Sequence, residues 1–165
     1  MKTERITHAF DPVFDSESRI LVLGTMPSPK SRELGFYYSH PRNRFWPVLA
    51  EILREEVPKT PEKKNEFCLK NKIALWDVLK ECDIEGASDS SIKNAVPNDI
   101  SIILNSADIK AVFTTGTTAA KLYKKFIEPE TEVPAKVLPS TSPANAKIKF
   151  EELAEQYKII LEYLK

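Results

Sequence analysis

Cysteine, histidine and glycine are scarce in this chain, whose 165 residues include two cysteines, two histidines and four glycines. Neither Cys68 nor Cys82 belongs to a Cys-x-x-Cys pair, and two thiols cannot supply the four ligands of a zinc or iron–sulfur site. The histidines, His8 and His40, are far apart in the sequence. We therefore expect no metal and no cofactor, and we interpret both cysteines as reduced packing residues.

Long hydrophobic runs are also absent, since no apolar stretch approaches the roughly 20 residues that cross a bilayer. The first ten residues are polar and lack the apolar core of a signal peptide. Hydrophobic residues make up 42% of the chain and charged residues 29%, which is typical of a folded domain. These features predict a single domain over residues 1–165, without a membrane partner, in the cytoplasm and, in a prokaryote, near the nucleoid.

The formal net charge is zero, so the chain lacks the overall positive field of many nucleic-acid-binding proteins. Basic residues are nevertheless concentrated locally. Between positions 27 and 47 there are four basic residues and one acidic residue, and residues 136–149 contain three lysines and no acid. This pattern favours a local basic patch over ordinary scatter on a solvated surface.

Four short apolar segments predict buried strands, at residues 19–24, 73–76, 111–116 and 135–139. Segments with helical spacing follow or separate them, at 45–56, 61–70, 98–106, 117–126 and 150–164. Strands that alternate with helices favour parallel pairing with helices on both faces. The predicted fold class is therefore α/β, with three layers (α/β/α) around a central, mainly parallel four-stranded sheet.

Ligands of such sheets bind beyond the carboxyl ends of the strands. The loop after the first strand, residues 24–44, contains two of the four glycines, and four of the twelve prolines lie between positions 27 and 47. Its aromatic residues stand beside arginines, which offers ring faces to a base and cations to phosphates. Long loops in compact domains are usually functional, although Phe45 and Trp46 just after this one are better explained as core residues.

Small hydroxylated residues follow the fourth strand, in the sequence Pro-Ser-Thr-Ser-Pro-Ala-Asn at 139–145. Exposed hydroxyls and backbone N–H groups can hold a phosphate, but the same residues also form turns and helix caps. Composition leaves both interpretations open. The turn after the first strand has one glycine and is stiffened by proline, which disfavours a flavodoxin-like nucleotide loop.

These segments together resemble the uracil-DNA glycosylase superfamily over most of the chain. Its mismatch-specific uracil/thymine branch has a Gly-x-Asn-Pro-Gly turn, a Gly-Phe-x-Phe segment and an Asn-Arg-Phe-Trp helix start. Here residues 24–28 read Gly-Thr-Met-Pro-Ser, residues 35–38 read Gly-Phe-Tyr-Tyr and residues 43–46 read Asn-Arg-Phe-Trp. Residues 139–145 stand where the superfamily carries its DNA-intercalating motif. The resemblance implies a monomeric glycosylase-like domain whose partner is DNA with a damaged base.

Position 26 departs from the mismatch branch, because Met26 replaces the asparagine that activates water there. A thioether can neither orient nor polarise water. This departure is similar to the hypoxanthine-DNA (deoxyinosine) glycosylase branch, in which the asparagine entering the first helix is essential. The resemblance therefore makes Asn43 the catalytic residue, which positions the attacking water or stabilises the transition state. A helix N-cap is the alternative role for Asn43.

The resemblance also places Tyr38 at the position of the base-stacking aromatic, with core packing as the alternative. Asp77 ends the second predicted strand, and its carboxylate could accept a hydrogen bond from N1–H of hypoxanthine. A helix cap or an ion pair with Lys80 or Lys121 is the alternative for Asp77. The expected base-pocket residues are Gly24, Thr25, Met26, Pro27, Phe36, Tyr38 and Asp77.

Hydroxyls of the second loop are expected to bind phosphates beside a flipped nucleotide, while Ala144 and Asn145 enter the space that it leaves. Basic residues form the rim. The expected DNA-binding residues are Ser28, Arg42, Arg44, Ser140, Thr141, Ser142, Ala144, Asn145 and Lys147. No lysine stands at an obvious nucleophile position, so the expected enzyme is monofunctional and leaves an abasic site.

The function predicted on these grounds is excision of a deaminated base, hypoxanthine above all, in base-excision repair. A mismatch-type uracil/thymine glycosylase is the nearest alternative, and Met26 argues against it. An alternative of another class is a DNA- or nucleotide-binding module that uses the same pocket without hydrolysis.

Overall fold

A four-stranded parallel sheet lies at the centre of the computed structural model, which describes residues 3–8 and 10–164. Its strands are β2 (Ile20–Gly24), β3 (Ile73–Asp77), β6 (Ala111–Thr115) and β7 (Ala135–Leu138), in the order β3-β2-β6-β7. Every residue of β2 and β3 is buried. A strand covered on both faces has no solvent-facing side, so β2 and β3 are apolar along their length, with Asp77 at the carboxyl end of β3 as the exception. This is why continuous apolar runs predicted the parallel strands correctly.

Helices flank this sheet, which confirms the predicted α/β fold class. The helices are α1 (Pro29–Leu34), α2 (Phe45–Leu53), α3 (Pro61–Lys70), α4 (Ser101–Leu104), α5 (Thr117–Leu122), α6 (Glu128–Thr131) and α7 (Phe150–Tyr157). A π-helical turn, Tyr123–Ile127, joins α5 to α6, and a 3-10 helix, Lys158–Tyr163, continues α7. Helix α2 packs against α7, and α3 contacts β3.

A second sheet, which the sequence analysis did not predict, is antiparallel. It consists of β1 (Thr3–Thr7), β4 (Leu79–Glu85) and β5 (Ser88–Pro97), in the order β1-β4-β5. Strands β4 and β5 form a hairpin with Gly86 at its tip, where φ is 56°. Cys82 and Ile84 are buried and alternate with acidic residues, and this period of two was the available signal for a strand.

Two predicted segments have different boundaries or roles in the structure. The loop at 24–44 contains α1, because the Ser28 hydroxyl accepts the backbone N–H of Ser31 at 3.1 Å and Pro29 occupies the first turn. The helix predicted from residue 98 begins only at Ser101. The buried Asn98 side chain instead donates to the carbonyls of Asp77 and Leu79, at 2.9 and 3.1 Å.

Large aromatic side chains fill the space between the sheet and its helices. Phe45, Phe113, Tyr123 and Tyr157 are fully buried, and burial of each contributes about 1.5–3 kcal/mol. The Tyr157 hydroxyl donates to the carbonyl of Pro139 at 2.6 Å, which ties α7 to the loop after β7. Over residues 3–8 and 10–164, the structure contains no helix long and apolar enough to cross a membrane.

Candidate active site

The carboxyl ends of the parallel strands surround a cavity of about 320 Å³. Gly24 ends β2, Asp77 ends β3 and Thr115 ends β6, and all three line it. This volume is at the small end of the roughly 300–1,000 Å³ range of ligand pockets, so the cavity suits a ligand the size of one nucleobase.

Most of the expected site residues lie at this cavity. Those that line it are Gly24, Thr25, Met26, Pro27, Ser28, Tyr38, Asn43, Asp77, Ser140, Thr141 and Ser142. The expected residues that do not line it are Phe36, Arg42, Arg44, Ala144, Asn145 and Lys147. Phe36 packs instead against Tyr37 and Trp46, with ring centroids 5.4 and 6.0 Å away. Phe36 is therefore a support for the pocket wall rather than part of its surface.

Gly24 lies where two polar groups approach the backbone closely. A Cβ atom at this position would lie 2.6 Å from Asp77 Oδ1 and 3.0 Å from the Tyr38 hydroxyl oxygen. A contact below 3.0 Å requires something to move, and here the moving group would be a buried side chain. The glycine thus permits Asp77 and Tyr38 to converge on the end of β2.

Tyr38 combines a stacked ring with a hydrogen-bonded hydroxyl. One face of its ring stacks on Phe45, with centroids 3.8 Å apart and planes inclined by 16°, and its hydroxyl lies 3.1 Å from Thr115 Oγ1. Burial, followed by the negative charge of Asp77, raises the pKa of Tyr38 well above its ordinary value. The hydroxyl therefore stays protonated at neutral pH, and Tyr38 presents a neutral polar aromatic surface to the cavity.

Asp77 is held by a histidine that the sequence analysis did not include in the site. His8 Nε2 lies 2.8 Å from Asp77 Oδ2, and the two side chains are 3% and 5% exposed. The alternatives considered for Asp77, a helix cap or an ion pair with Lys80 or Lys121, are wrong. No sequence pattern links His8 to Asp77, because the antiparallel pairing of β1 with β4 brings them together.

Asn43 lies at the start of α2 and joins it to the loop after β7. Its Oδ1 accepts the backbone N–H of Phe45 at 2.9 Å and the hydroxyl of Thr141 at 2.8 Å. Asn43 thus caps the first backbone N–H of α2, although the N-cap position itself is Arg44, whose side chain makes no capping bond. Because a backbone N–H can only donate, these contacts assign Oδ1 and Nδ2 and leave Nδ2 to donate elsewhere.

The hydroxyl residues at 140–142 build the opposite wall of the cavity. Ser140 Oγ accepts the backbone N–H of Ser142 at 3.1 Å, and Ser142 Oγ accepts that of Ala144 at 3.2 Å. Each serine acts as an acceptor in these bonds, which leaves its own hydroxyl hydrogen to donate to an anion. Thr141 differs, because it is 1% exposed and donates to Asn43.

Arg44 holds this loop in place through main-chain contacts. Its guanidinium donates to the carbonyls of Ile148 and Asn145 at 2.7 and 3.1 Å. Arg42 and Lys147, by contrast, are exposed. Asn145 turns inward, with its side chain donating to the Ser140 carbonyl at 2.9 Å, while Ala144 is exposed beside it.

The tip of the β4–β5 hairpin forms a side of the cavity that sequence analysis did not predict. Ile84, Gly86, Ala87 and Asp89 from this hairpin line the cavity. Desolvation, followed by the charge of Asp77, raises the pKa of Asp89, although its side chain is exposed at the mouth. The other lining residues that were missed are Ser31, His40, Thr115 and Pro143, and Tyr37 lines the cavity beside Tyr38.

Within residues 3–8 and 10–164, which the structure describes, no cluster of metal-binding side chains lies at the cavity or elsewhere. No three His, Cys, Asp or Glu side chains there lie close enough to hold a metal ion. Cys68 and Cys82 are both buried free thiols, and burial raises the pKa of each. The polar side-chain groups available to a ligand are thus an amide, the carboxylates of Asp77 and Asp89, hydroxyls and the His40 ring.

Comparison with known proteins decides the family. The sequence profile of the uracil DNA glycosylase superfamily matches residues 12–165. This chain belongs to the uracil DNA glycosylase superfamily. It is 34% identical over 140 residues to the hypoxanthine DNA glycosylase of Methanosarcina barkeri, an alignment that covers 84% of this chain and 87% of that protein.

Two further comparisons, one with a sequence and one with a solved structure, are with Methanosarcina acetivorans. A hypoxanthine DNA glycosylase is 33% identical over 144 residues, covering 86% of this chain and 90% of that one. The solution NMR structure of a candidate uracil DNA glycosylase superposes with a TM-score of 0.77 at 29% identity, covering 94% and 98% of the two chains. The family expected from the sequence motifs is confirmed, and the chain is a DNA glycosylase.

Proposed function

We propose that this DNA glycosylase excises hypoxanthine from deoxyinosine in DNA and leaves an abasic site. The observation that carries the proposal is that the Asn43 amide and the Asp77 carboxylate line the same base-sized cavity. Relatives that share about a third of their residues with this chain over most of its length are named hypoxanthine DNA glycosylases, which supports the choice of base.

Base recognition rests on Asp77. A carboxylate accepts hydrogen bonds and, when ionised, cannot donate them. The N1 atom of hypoxanthine carries a hydrogen, whereas N1 of adenine carries a lone pair. Asp77 would therefore attract the deaminated base and repel the adenine from which it forms.

Extraction of the base from the helix precedes the chemistry, because a base inside a duplex cannot reach the cavity. Flipping costs a few kcal/mol and is easiest for a weak pair such as inosine opposite thymine. The Tyr38 ring supports the flipped base from the cavity wall, and such stacking contributes about 1–3 kcal/mol. Ser140 and Ser142 donate to a phosphate beside the flipped nucleotide, with Arg42 and Lys147 on the rim.

Bond cleavage leaves the electron pair of the C1′–N9 bond on the departing base, while water adds to the sugar carbon and the proton that it loses passes to the base. Asn43 Oδ1 already accepts two hydrogen bonds, which occupy its two lone pairs and prevent it from accepting a water hydrogen. The Nδ2 group of Asn43 is therefore the part of the side chain that can contact the reacting groups, as a hydrogen-bond donor. Of the two roles expected for Asn43, we infer stabilisation of the transition state, by donation to the base as negative charge develops.

The departing base needs the Asn43 Nδ2 donor because the negative charge of Asp77 opposes the negative charge that develops on the base. An oxocarbenium-like sugar then requires only a positioned water, as in glycoside hydrolysis. Among the described residues that line the cavity there is no lysine. We therefore expect no Schiff base, and borohydride should trap no covalent adduct with DNA.

A uracil glycosylase is the second candidate, because N3–H of uracil would also donate to Asp77. Met26 lines the cavity at the position where the mismatch branch has asparagine. A thioether provides no comparable polar contact to a water molecule. Met26 therefore favours hypoxanthine over uracil as the substrate.

The decisive experiment measures base release from oligonucleotides that differ only in one base: hypoxanthine, uracil, xanthine or adenine. The wild-type protein is expected to release hypoxanthine fastest. Asn43→Ala should bind the same DNA with near-normal affinity and lose turnover, which would exclude a non-catalytic binding module. Absence of base release from every lesion would refute the proposal.

The remaining features of the proposal concern the protein as a whole. We expect residues 1–165 to form one domain that acts as a monomer on DNA. Because its substrate is chromosomal, we expect the protein in the cytoplasm, at the nucleoid in a prokaryote. Light scattering of the free protein tests the monomeric state.

A further inference from the structure

The buried pair His8–Asp77 has a defined direction of hydrogen bonding. The backbone N–H of Phe10 donates to His8 Nδ1 at 3.2 Å. A ring nitrogen that accepts a hydrogen bond carries no hydrogen, so the ring hydrogen lies on Nε2 and points to Asp77 Oδ2. The pair is therefore a neutral histidine that donates to a carboxylate.

Aromatic side chains surround the His8 ring, and hydrogen bonds at both of its nitrogens fix its orientation. Phe10 lies edge-on to it at 5.6 Å between centroids, and Tyr37 lies 5.9 Å away. The Tyr37 hydroxyl is itself anchored, since it donates to the carbonyl of Asp11 at 2.9 Å. A ring with one orientation and one hydrogen presents a single donor to Asp77.

Because of this donor, the two carboxylate oxygens of Asp77 have different surroundings. Oδ2 is occupied by His8, whereas Oδ1 lies on the other side, beside Gly24 at the end of β2. Both Asp77 and Gly24 line the cavity. A ligand in the cavity therefore meets one oxygen of Asp77 rather than two.

We propose that His8 is a positioning residue that sets base specificity by leaving Oδ1 as the only oxygen of Asp77 that a flipped base can contact. The inference rests on the proposed function. A single acceptor selects bases whose ring nitrogen carries a hydrogen, which includes hypoxanthine. It gives guanine no second hydrogen bond through the 2-amino group, although a free carboxylate can accept from both positions at once.

Loss of the hydrogen bond from His8 changes how the Asp77 carboxylate interacts with a base. A buried carboxylate deprived of this partner rotates toward another donor or takes up a proton. A protonated carboxyl can donate to N1 of adenine, which the ionised form repels. Specificity, rather than only rate, therefore depends on His8.

The test compares His8→Leu with His8→Gln, whose amide nitrogen reaches the position of Nε2 and keeps one donor. Single-turnover excision is measured on oligonucleotides with hypoxanthine, guanine or adenine at one site. His8→Leu should lower hypoxanthine excision at least about tenfold, as expected for one charged hydrogen bond, and reduce its preference over guanine and adenine. His8→Gln should restore most of that preference.

Phe10→Leu is the matched control for packing around the histidine. It removes the ring beside His8 but retains the backbone N–H that donates to Nδ1. It should lower the melting temperature and leave the base preference unchanged. If His8→Leu does not fold, His8→Asn replaces it, because its shorter amide cannot reach the Nε2 position and should lose the preference that His8→Gln keeps.

The outcomes separate this inference from the proposed function. If the wild-type protein releases no hypoxanthine, the proposed function fails. If the wild type is active and the donor-deficient variant, His8→Leu or His8→Asn, keeps the wild-type preference, the role of His8 is refuted. The same conclusion follows if His8→Gln is no better than that variant.

Discussion

Thr141 donates its hydroxyl hydrogen to Asn43 Oδ1 at 2.8 Å and so joins two loops that are 98 residues apart in sequence. The same oxygen accepts the backbone N–H of Phe45 at the start of α2. The capping contact and the proposed catalytic donation of Asn43 thus fall on different atoms of one side chain, Oδ1 and Nδ2. A substitution that changes only one of these atoms can separate the two roles.

Asn43→Asp is predicted to keep the fold and lose the activity. Aspartate caps a helix as well as asparagine does, so the bonds to Phe45 and Thr141 remain. The donor Nδ2 becomes an oxygen, which should reduce the single-turnover rate by about 10²–10³, the usual effect of removing a transition-state donor. Thermal unfolding and excision are measured on the same preparation. Wild-type activity in this variant would leave Asn43 as a cap alone.

Gly24→Ala is predicted to damage the pocket, whereas Gly35→Ala affects stability alone. The added methyl at Gly24 would lie 2.6 Å from Asp77 Oδ1 and displace it, so hypoxanthine excision should fall at least about tenfold, an activation cost of about 1.4 kcal/mol.

Gly35 is the control for this substitution. It ends α1 with φ of 80° and has no atom within 4 Å of an added Cβ, so alanine there costs about 1 kcal/mol of backbone strain and leaves the excision rate unchanged. Equal activity in the two variants would contradict the close approach at Gly24.

Arg42→Ala and Lys147→Ala are predicted to weaken DNA binding in a salt-dependent way. Both side chains are exposed, and each phosphate contact that is lost should reduce the slope of log K against log salt by about 0.9. Fluorescence anisotropy at several salt concentrations measures this slope. An unchanged slope in both variants would place the phosphate contacts elsewhere.

Arg44→Ala provides the contrast within the same region. Its guanidinium holds the Asn145 and Ile148 carbonyls, so its removal should lower the free energy of unfolding by about 1.5–3 kcal/mol.

The protein is predicted to lose stability in alkali because several tyrosines are buried. Burial raises the pKa of Tyr37, Tyr38 and Tyr157 above the value of about 10 found in unfolded chains. Their contribution is complete below pH 10 and is lost as the pH rises further, since the unfolded state then releases protons that the folded state keeps.

Tyr157→Phe tests this dependence with urea unfolding between pH 8 and 11. The variant should be about 1 kcal/mol less stable at neutral pH, because it lacks the hydrogen bond to Pro139, and less sensitive to alkali than the wild type. An identical alkaline slope in the two proteins would contradict the prediction.

Sequence patterns predicted the parallel sheet because the burial of its central strands is visible in their apolar sequences. A run such as residues 20–23 is apolar at every position since both of its faces are covered. The end of each strand then indicated where Gly24, Asp77 and the 139–145 loop would gather. Local pattern and fold agree in these segments, which is why they were read correctly.

The antiparallel sheet and the partner of Asp77 were missed for the opposite reason. Strand β1 is mostly exposed, so its sequence carries little hydrophobic pattern, and its position depends on pairing with β4. His8 enters the site through that pairing alone. The contact between Tyr38 and Phe45 was also not predictable, because a left-handed turn at Tyr38 brings the two rings together.

That turn at Tyr38 has a consequence for how the enzyme would respond to selection. With φ at 53°, a bulky aromatic residue occupies a backbone conformation that costs about 1–3 kcal/mol and that glycine adopts freely. Replacement by glycine would relieve this strain, but it would also remove the ring that stacks on Phe45 and the hydroxyl bonded to Thr115, a loss of about 3–5 kcal/mol for a packed aromatic side chain. Selection for heat resistance would therefore retain the ring at position 38, because the contacts that hold the strained turn also form the wall of the cavity.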